Sequence, residues 1–168
     1  MRSLLIFLMG SIIGSPLHAA TPSGCQPQVD QVLEALNAWR AKAHVCGGET
    51  MAASRALRWS APLAASAKLF AEELAQRDTV SHEGQVWRTL GKRLRAAGYR
   101  MQVAGENLAA GQEDLDDVLE QWMASRDHCE NLMLADFQDV GLACVTGRGH
   151  YGYFWVLHLG RTSSPESP

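Results

Sequence analysis

Several familiar kinds of chemistry are missing from this sequence. It has no Cys-x-x-Cys pair, so a zinc site built from closely spaced thiolates is disfavoured. It has no P-loop and no Gly-x-Gly-x-x-Gly turn, which removes the common nucleotide-phosphate cradles. No Gly-x-Ser-x-Gly elbow is present. His82-Glu83 does not open an HExxH zinc motif, because position 86 is Val86. Basic residues are not in excess: 15 Lys plus Arg stand against 18 Asp plus Glu. Without a basic stripe, nucleic acid is not an expected partner. Internal repeats and low-complexity blocks are also lacking, and beyond the first residues no apolar run reaches membrane-spanning length.

What is present begins with an export signal. Met1 and Arg2 make a short positive start, Leu4 to Ile13 an apolar run, and Pro16 breaks it before Ala19 and Ala20. That order predicts a secretory signal peptide over 1–20, cleaved after Ala20. Loss of Arg2 then leaves 14 Lys plus Arg against 18 Asp plus Glu, a net charge of −4. About 148 residues follow, enough for one domain with its own core. All four cysteines, Cys25, Cys46, Cys129 and Cys144, lie beyond the cleavage point. An even count in an exported chain predicts two disulfides, and the sequence alone allows three pairings. The expected location is secreted or periplasmic, with no transmembrane segment after cleavage.

Pro, Ser and Gly mark 21–27 as a leader and 162–168 as a disordered tail, so the domain is expected over 28–161. Val29, Val32, Leu33, Leu36 and Ala43 follow helical spacing, and Gly47-Gly48 then opens a loop. Ser60 and Pro62 start a second helix whose inner face is Leu63, Ala67, Phe70 and Leu74. A short helix over Leu90 to Ala97 ends at Gly98, and Val103 to Ala109 reads as extended. Asp114 caps a fourth helix with Leu115, Val118, Leu119 and Trp122 inward. Asp139–Val145 and Tyr151–Leu159 flank Gly147-Arg148-Gly149 as a hairpin. Helices first and strands last predict an α+β layered domain. Trp59, Phe70, Leu74, Trp122 and Trp155 are the expected large core residues.

Of six histidines, His18 leaves with the signal. His44, His150 and His158 stand at a helix end, beside a turn and on a strand, where each has a structural reading. His82 and His128 differ, since each follows a helix in a polar segment. Glu106 sits in an apolar extended stretch, where a carboxylate must reach solvent or a partner. Two imidazoles are natural partners, which makes a shared site and three independent residues the two options.

The order of motifs resembles the CAP superfamily, that of cysteine-rich secretory proteins, antigen 5 and pathogenesis-related proteins. Leu57-Arg58-Trp59-Ser60 with its Ala-rich helix resembles the family's opening. Ser81-His82, Arg95-Ala96-Ala97-Gly98-Tyr99 and Gly105-Glu106-Asn107-Leu108-Ala109-Ala110-Gly111 follow. Trp122-Met123-Ala124-Ser125, His128-Cys129-Glu130-Asn131-Leu132-Met133, Val140-Gly141-Leu142-Ala143 and Tyr153-Phe154-Trp155-Val156 complete it. The resemblance runs from about Val29 to Gly160 and is of the bacterial type. It implies an α-β-α sandwich, with helices on both faces of a small antiparallel sheet.

The resemblance also implies a cleft formed by His82, Glu106 and His128, with Ser125 and Asn131 beside them. Ser125 stands where eukaryotic members carry a second acid, and the long segment before their second His is missing. An activity built on the full tetrad therefore does not carry over. The function implied is a non-enzymatic binding module whose cleft holds a small ligand or a divalent metal such as Zn2+. In the metal case His82 and His128 would be ligands, with Glu106. The alternative is a metal-assisted hydrolase of peptide or cell-wall material, with Glu106 as third ligand or base. A third option is a purely structural triad that buttresses the helices. The partner is expected to be an extracellular lipid, peptide or cell-wall component. Two-cysteine relatives place their pair at the positions of Cys46 and Cys129, so the resemblance implies Cys46–Cys129 and leaves Cys25–Cys144. The local alternative is Cys25–Cys46 with Cys129–Cys144.

Overall fold

The computed structural model describes residues 24–162. The expected signal peptide, the first three leader residues and 163–168 lie outside the described residues. In chain order the elements are α1 (Val29–Arg40), β1 (His44–Cys46), β2 (Glu49–Met51), β3 (Arg58–Trp59), α2 (Ala61–Arg77) and α3 (Leu90–Ala96). After them come β4 (Met101–Ala110), α4 (Leu115–Ala124), α5 (Arg126–Met133), β5 (Asp139–Thr146) and β6 (Tyr153–Thr162). The fold is α+β, with helices on both faces of a four-stranded sheet ordered β3-β5-β6-β4. Strands β5, β6 and β4 are antiparallel, and the two-residue β3 joins β5 in parallel.

Side-chain alternation along β6 builds the two layers. Trp155, Leu157 and Leu159 point into a core closed by Val32 and Leu36 of α1, Val118, Leu119 and Trp122 of α4, and Leu132 of α5. Phe154 and Val156 point the other way, onto Ala67, Phe70 and Leu74 of α2. Period-two alternation with both faces apolar is what a fully sandwiched strand requires. Gly141 of β5 is needed where α2 crosses, because a Cβ there would lie 2.1 Å from the Ala64 backbone nitrogen. Ser60 caps α2 by accepting from Leu63 N–H at 3.4 Å, and Asp114 caps α4 through Asp117 N–H at 2.9 Å.

Five expectations need correction. The first helix stops at Arg40, and Gly47-Gly48 is the turn of a β1–β2 hairpin rather than an open loop. Cys46 faces Glu49, and both glycines have positive φ (57° and 100°), as a tight two-residue hairpin turn demands. A fifth helix, α5, was not foreseen, and His128 lies on it. Trp59 is half-buried at the edge of the core, while Phe70, Leu74, Trp122 and Trp155 are buried. Thr162, assigned to a tail, is the last residue of β6, where Met101 pairs with it.

Two disulfides tie the layers. Cys25–Cys144 fastens the segment before α1 to β5, and Cys46–Cys129 fastens the small hairpin to α5. The buried Arg40 adds a third tie. Its guanidinium donates to the carbonyls of Arg55 (3.0 Å), Leu132, Leu134 (3.2 Å) and Phe137. A cation among the carbonyls that end α5 suits the helix dipole.

Candidate functional site

Strand β4 is the outer edge of the sheet, so both layers are reached from it. Its successive residues turn to opposite faces. Glu106 turns toward α2 and α3, while Asn107 turns toward α5. A cleft of about 650 Å3 runs beside this strand. His82, Glu106, Ser125, His128 and Asn131, the five residues expected in a cleft, all line it.

Each arrives by a different local cause. α2 ends at Asp78 in a left-handed conformation (φ 48°), and the chain then reverses to carry His82 to the sheet edge. Ser125 is extended and separates α4 from α5, which puts His128 in the first turn of α5. The Cys46–Cys129 bridge anchors the neighbouring position. Asn107 Nδ2 donates to the His128 carbonyl at 3.1 Å, and Asn131 Nδ2 donates to Asn107 Oδ1 at 2.8 Å. These two amides lock α5 against β4. Gly105 permits that approach, since a Cβ there would sit 2.3 Å from Asn131 Oδ1.

Glu106 is the centre of the arrangement. Its carboxylate is only 4% exposed. Oε1 accepts from His82 Nδ1 at 2.7 Å. Oε2 accepts from Arg93 Nη2 at 2.6 Å and from His158 Nε2 at 2.8 Å. Burial alone would raise its pKa. The hydrogen bonds from His158 and His82, with the charge of Arg93, overcome this and hold it at about 2. The carboxylate is therefore charged at neutral pH.

The imidazoles differ in consequence. The hydrogen bond to Glu106 raises the His82 pKa against a smaller desolvation effect. A carboxylate only accepts, so Nδ1 of His82 carries the proton and Nε2 is left for the solvent-facing side. That side chain is 63% exposed. Burial lowers the pKa of His128, and the charge of His82 lowers it further. Burial also lowers that of His158, which has no exposure at all, despite the pull of Glu106. A neutral His158 thus donates Nε2–H to Glu106.

Arg93 and His158 were not identified from the sequence. Glu106 and His158 are cross-strand partners, but register is not written in a single sequence. Arg93 is one of three basic residues in α3, and nothing in the string separates it from Lys92 or Arg95. Among the described residues, the other two histidines, His44 and His150, are apart from this group. His44 meets the Trp39 carbonyl at 2.9 Å, and the backbone of His150 donates to Asp78 at 2.7 Å.

The expected three-ligand metal set is not assembled. Among the described residues no three His, Cys, Asp or Glu side chains are gathered closely enough to hold a metal ion. The reason is visible at Glu106, whose two oxygens already serve three donors. The carboxylate holds an imidazole in place instead of facing a metal directly, a role common behind metal-binding histidines. Nε2 of His82 and the ring of His128 remain as nitrogen donors on the cleft.

Comparison with known proteins agrees with this architecture. Residues 33–159 match the Cysteine-rich secretory protein family, CAP. The protein YkwD of Bacillus subtilis is 24% identical over 126 residues, covering 75% of this chain and 46% of that protein. An extracellular protein containing an SCP domain from Bacillus anthracis superposes with a TM-score of 0.65 at 26% identity, over 79% of this chain and 40% of that one. An outer surface protein from Borrelia burgdorferi superposes with a TM-score of 0.61 at 20% identity, over 83% of this chain and 99% of that one. The chain thus spans less than half the length of its two Bacillus relatives. Two disulfides suit an oxidising compartment, and no helix among the described residues is long and apolar enough to cross a membrane. By the match over nearly all of its described length, this chain belongs to the CAP superfamily, the cysteine-rich secretory protein family, in its bacterial form.

Proposed function

We propose that this chain is a secreted or periplasmic, non-enzymatic binding module whose contact residues are His82 and His128. Its ligand is a divalent metal or a small molecule that an imidazole pair can hold. One observation carries the reading: Glu106 spends both oxygens on His82, Arg93 and His158. It fixes the ring of His82 and leaves Nε2 for a ligand. The same observation argues against the metal-assisted hydrolase. A general base works best with a pKa near the working pH, and a carboxylate held at about 2 is a weak one.

Two imidazoles favour late first-row divalent ions such as Zn2+ or Cu2+, with solvent or ligand atoms filling the other positions. Calorimetric titration of the purified, disulfide-bonded protein with Zn2+ tests this. Saturable one-to-one binding is expected, lost in His82→Ala and in His128→Ala. Glu106→Gln, which removes the group behind His82, should weaken it by about 10–100-fold. Zn2+ binding that survives both alanine variants overturns the assignment.

A further inference from the structure

Arg93 also borders a second cavity, separate from the histidine cleft. It opens between α2 and α3 and has a volume of about 390 Å3, within the range of small-molecule sites. Leu69, Phe70, Val86 and Trp87 supply apolar walls. Leu69 (62% exposed), Val86 (73%) and Trp87 (46%) are three of the few large apolar residues left open to solvent among the described residues. Arg93 ties down the loop carrying two of them, donating to the Trp87 carbonyl at 3.0 Å and to the His82 carbonyl at 3.2 Å. Its guanidinium also lies 3.6 Å over the Phe70 ring. The apolar wall is therefore held open rather than folded onto the core.

Two polar atoms on residues lining this cavity are unsatisfied. Ser66 Oγ and Arg93 Nε have no hydrogen-bond partner among the described residues, although Ser66 is 2% exposed and Arg93 4%. Buried polar atoms without partners are uncommon and unfavourable. Both can donate, so they call for an acceptor oxygen. The acceptor is not an anion. Glu106 already neutralises Arg93, and Glu72 and Glu73 line the same cavity.

From these observations we infer a second binding site, between α2 and α3, for a small uncharged amphiphile. Its apolar body lies on Leu69, Val86 and Trp87. A carbonyl oxygen, as in a ketone, ester or amide, accepts from Ser66 and Arg93. The inference does not depend on the histidine cleft, and His82→Ala is expected to leave it intact.

The test compares 2-acetylnaphthalene with 2-ethylnaphthalene, which has nearly the same shape but no acceptor. Each is titrated into the 15N-labelled, disulfide-bonded protein and followed by amide and indole NMR shifts. The ketone should saturate, moving the Trp87 indole N–H and the amides of Ser66 and Leu69, and should bind about tenfold tighter than the hydrocarbon. Ser66→Ala should remove most of that preference while hydrocarbon binding stays unchanged. Leu69→Asp, at an exposed position that does not threaten the fold, should abolish binding of both. Absence of saturable ketone binding overturns the proposal. So do shifts confined to other surfaces, equal affinity for the two probes, or a preference that survives Ser66→Ala.

Discussion

Replacing Glu106 by Gln keeps the shape of the side chain and removes its charge, which makes it the most informative single change. In the folded protein the carboxyl pKa is depressed from an ordinary 4.5 to about 2. A depressed carboxyl stabilises the folded state at pH values above its unfolded pKa. That contribution fades as pH falls from about 5 through about 2. A depression of this size corresponds to about 3 kcal/mol. The substitution also leaves the Arg93 guanidinium, 4% exposed, without its carboxylate. Removing one partner of a buried ion pair costs about 3–5 kcal/mol. If the amide oxygen stays with Arg93 and His158, the amide nitrogen faces His82 Nδ1 and forces the proton to Nε2. Urea unfolding with the disulfides intact reads both effects. At pH 7 the variant should be about 3–5 kcal/mol less stable than wild type. As pH drops toward 2, wild type should lose its extra stability until the two lie within about 2 kcal/mol. A variant within about 1 kcal/mol of wild type at pH 7, or two curves that run parallel across the acid limb, would refute the reasoning.

The packing and the cross-links make their own predictions. Trp122→Ala should cost about 3–5 kcal/mol in denaturant unfolding, because the indole is fully buried and donates Nε1–H to the Leu108 carbonyl at 3.0 Å. The double change Cys46→Ser with Cys129→Ser removes a bridge spanning 83 residues. On the chain-entropy account it should lower stability by up to about 4–5 kcal/mol, and line-broadening of the His128 ring should report loss of its anchor. Gly105→Ala should push α5 off β4 because Asn131 blocks the new methyl. Slower-relaxing, weakened Asn107 and Asn131 side-chain amide signals would reveal it, with a stability loss of about 1–3 kcal/mol.

How far the sequence revealed this molecule depends on how local each signal is. Ser60, Asp114 and Gly98 act within one turn of a helix end, so α2, α4 and α3 could be bounded from the string. The β5–β6 hairpin could be read because two apolar runs flank a Gly-rich turn. The β1–β2 hairpin was missed although Gly47-Gly48 marks its turn, since each strand is only three residues long. α5 was missed although its buried positions, Cys129, Leu132 and Met133, stand at i, i+3 and i+4, because an eight-residue helix shows that spacing only once. At the site, His82, Glu106 and His128 were legible through the family motifs. What Glu106 does was not. Its role is set by Arg93 from α3 and by His158 across the strand ladder, and both contacts depend on long-range register. A carboxylate read as a ligand or base proved to be held entirely by its neighbours.

The direct test of the central claim is long-range 1H–15N NMR of the histidine rings, recorded across pH and with Zn2+. His82 should hold its proton on Nδ1 and titrate above the ordinary imidazole range. His128 should titrate below that range, since burial and the charge of His82 both disfavour its protonation. Zn2+ should shift His82 Nε2 and a nitrogen of His128 together at one stoichiometric point. A His82 ring protonated on Nε2 and titrating at or below the ordinary value, with His128 unmoved by Zn2+, would contradict the account.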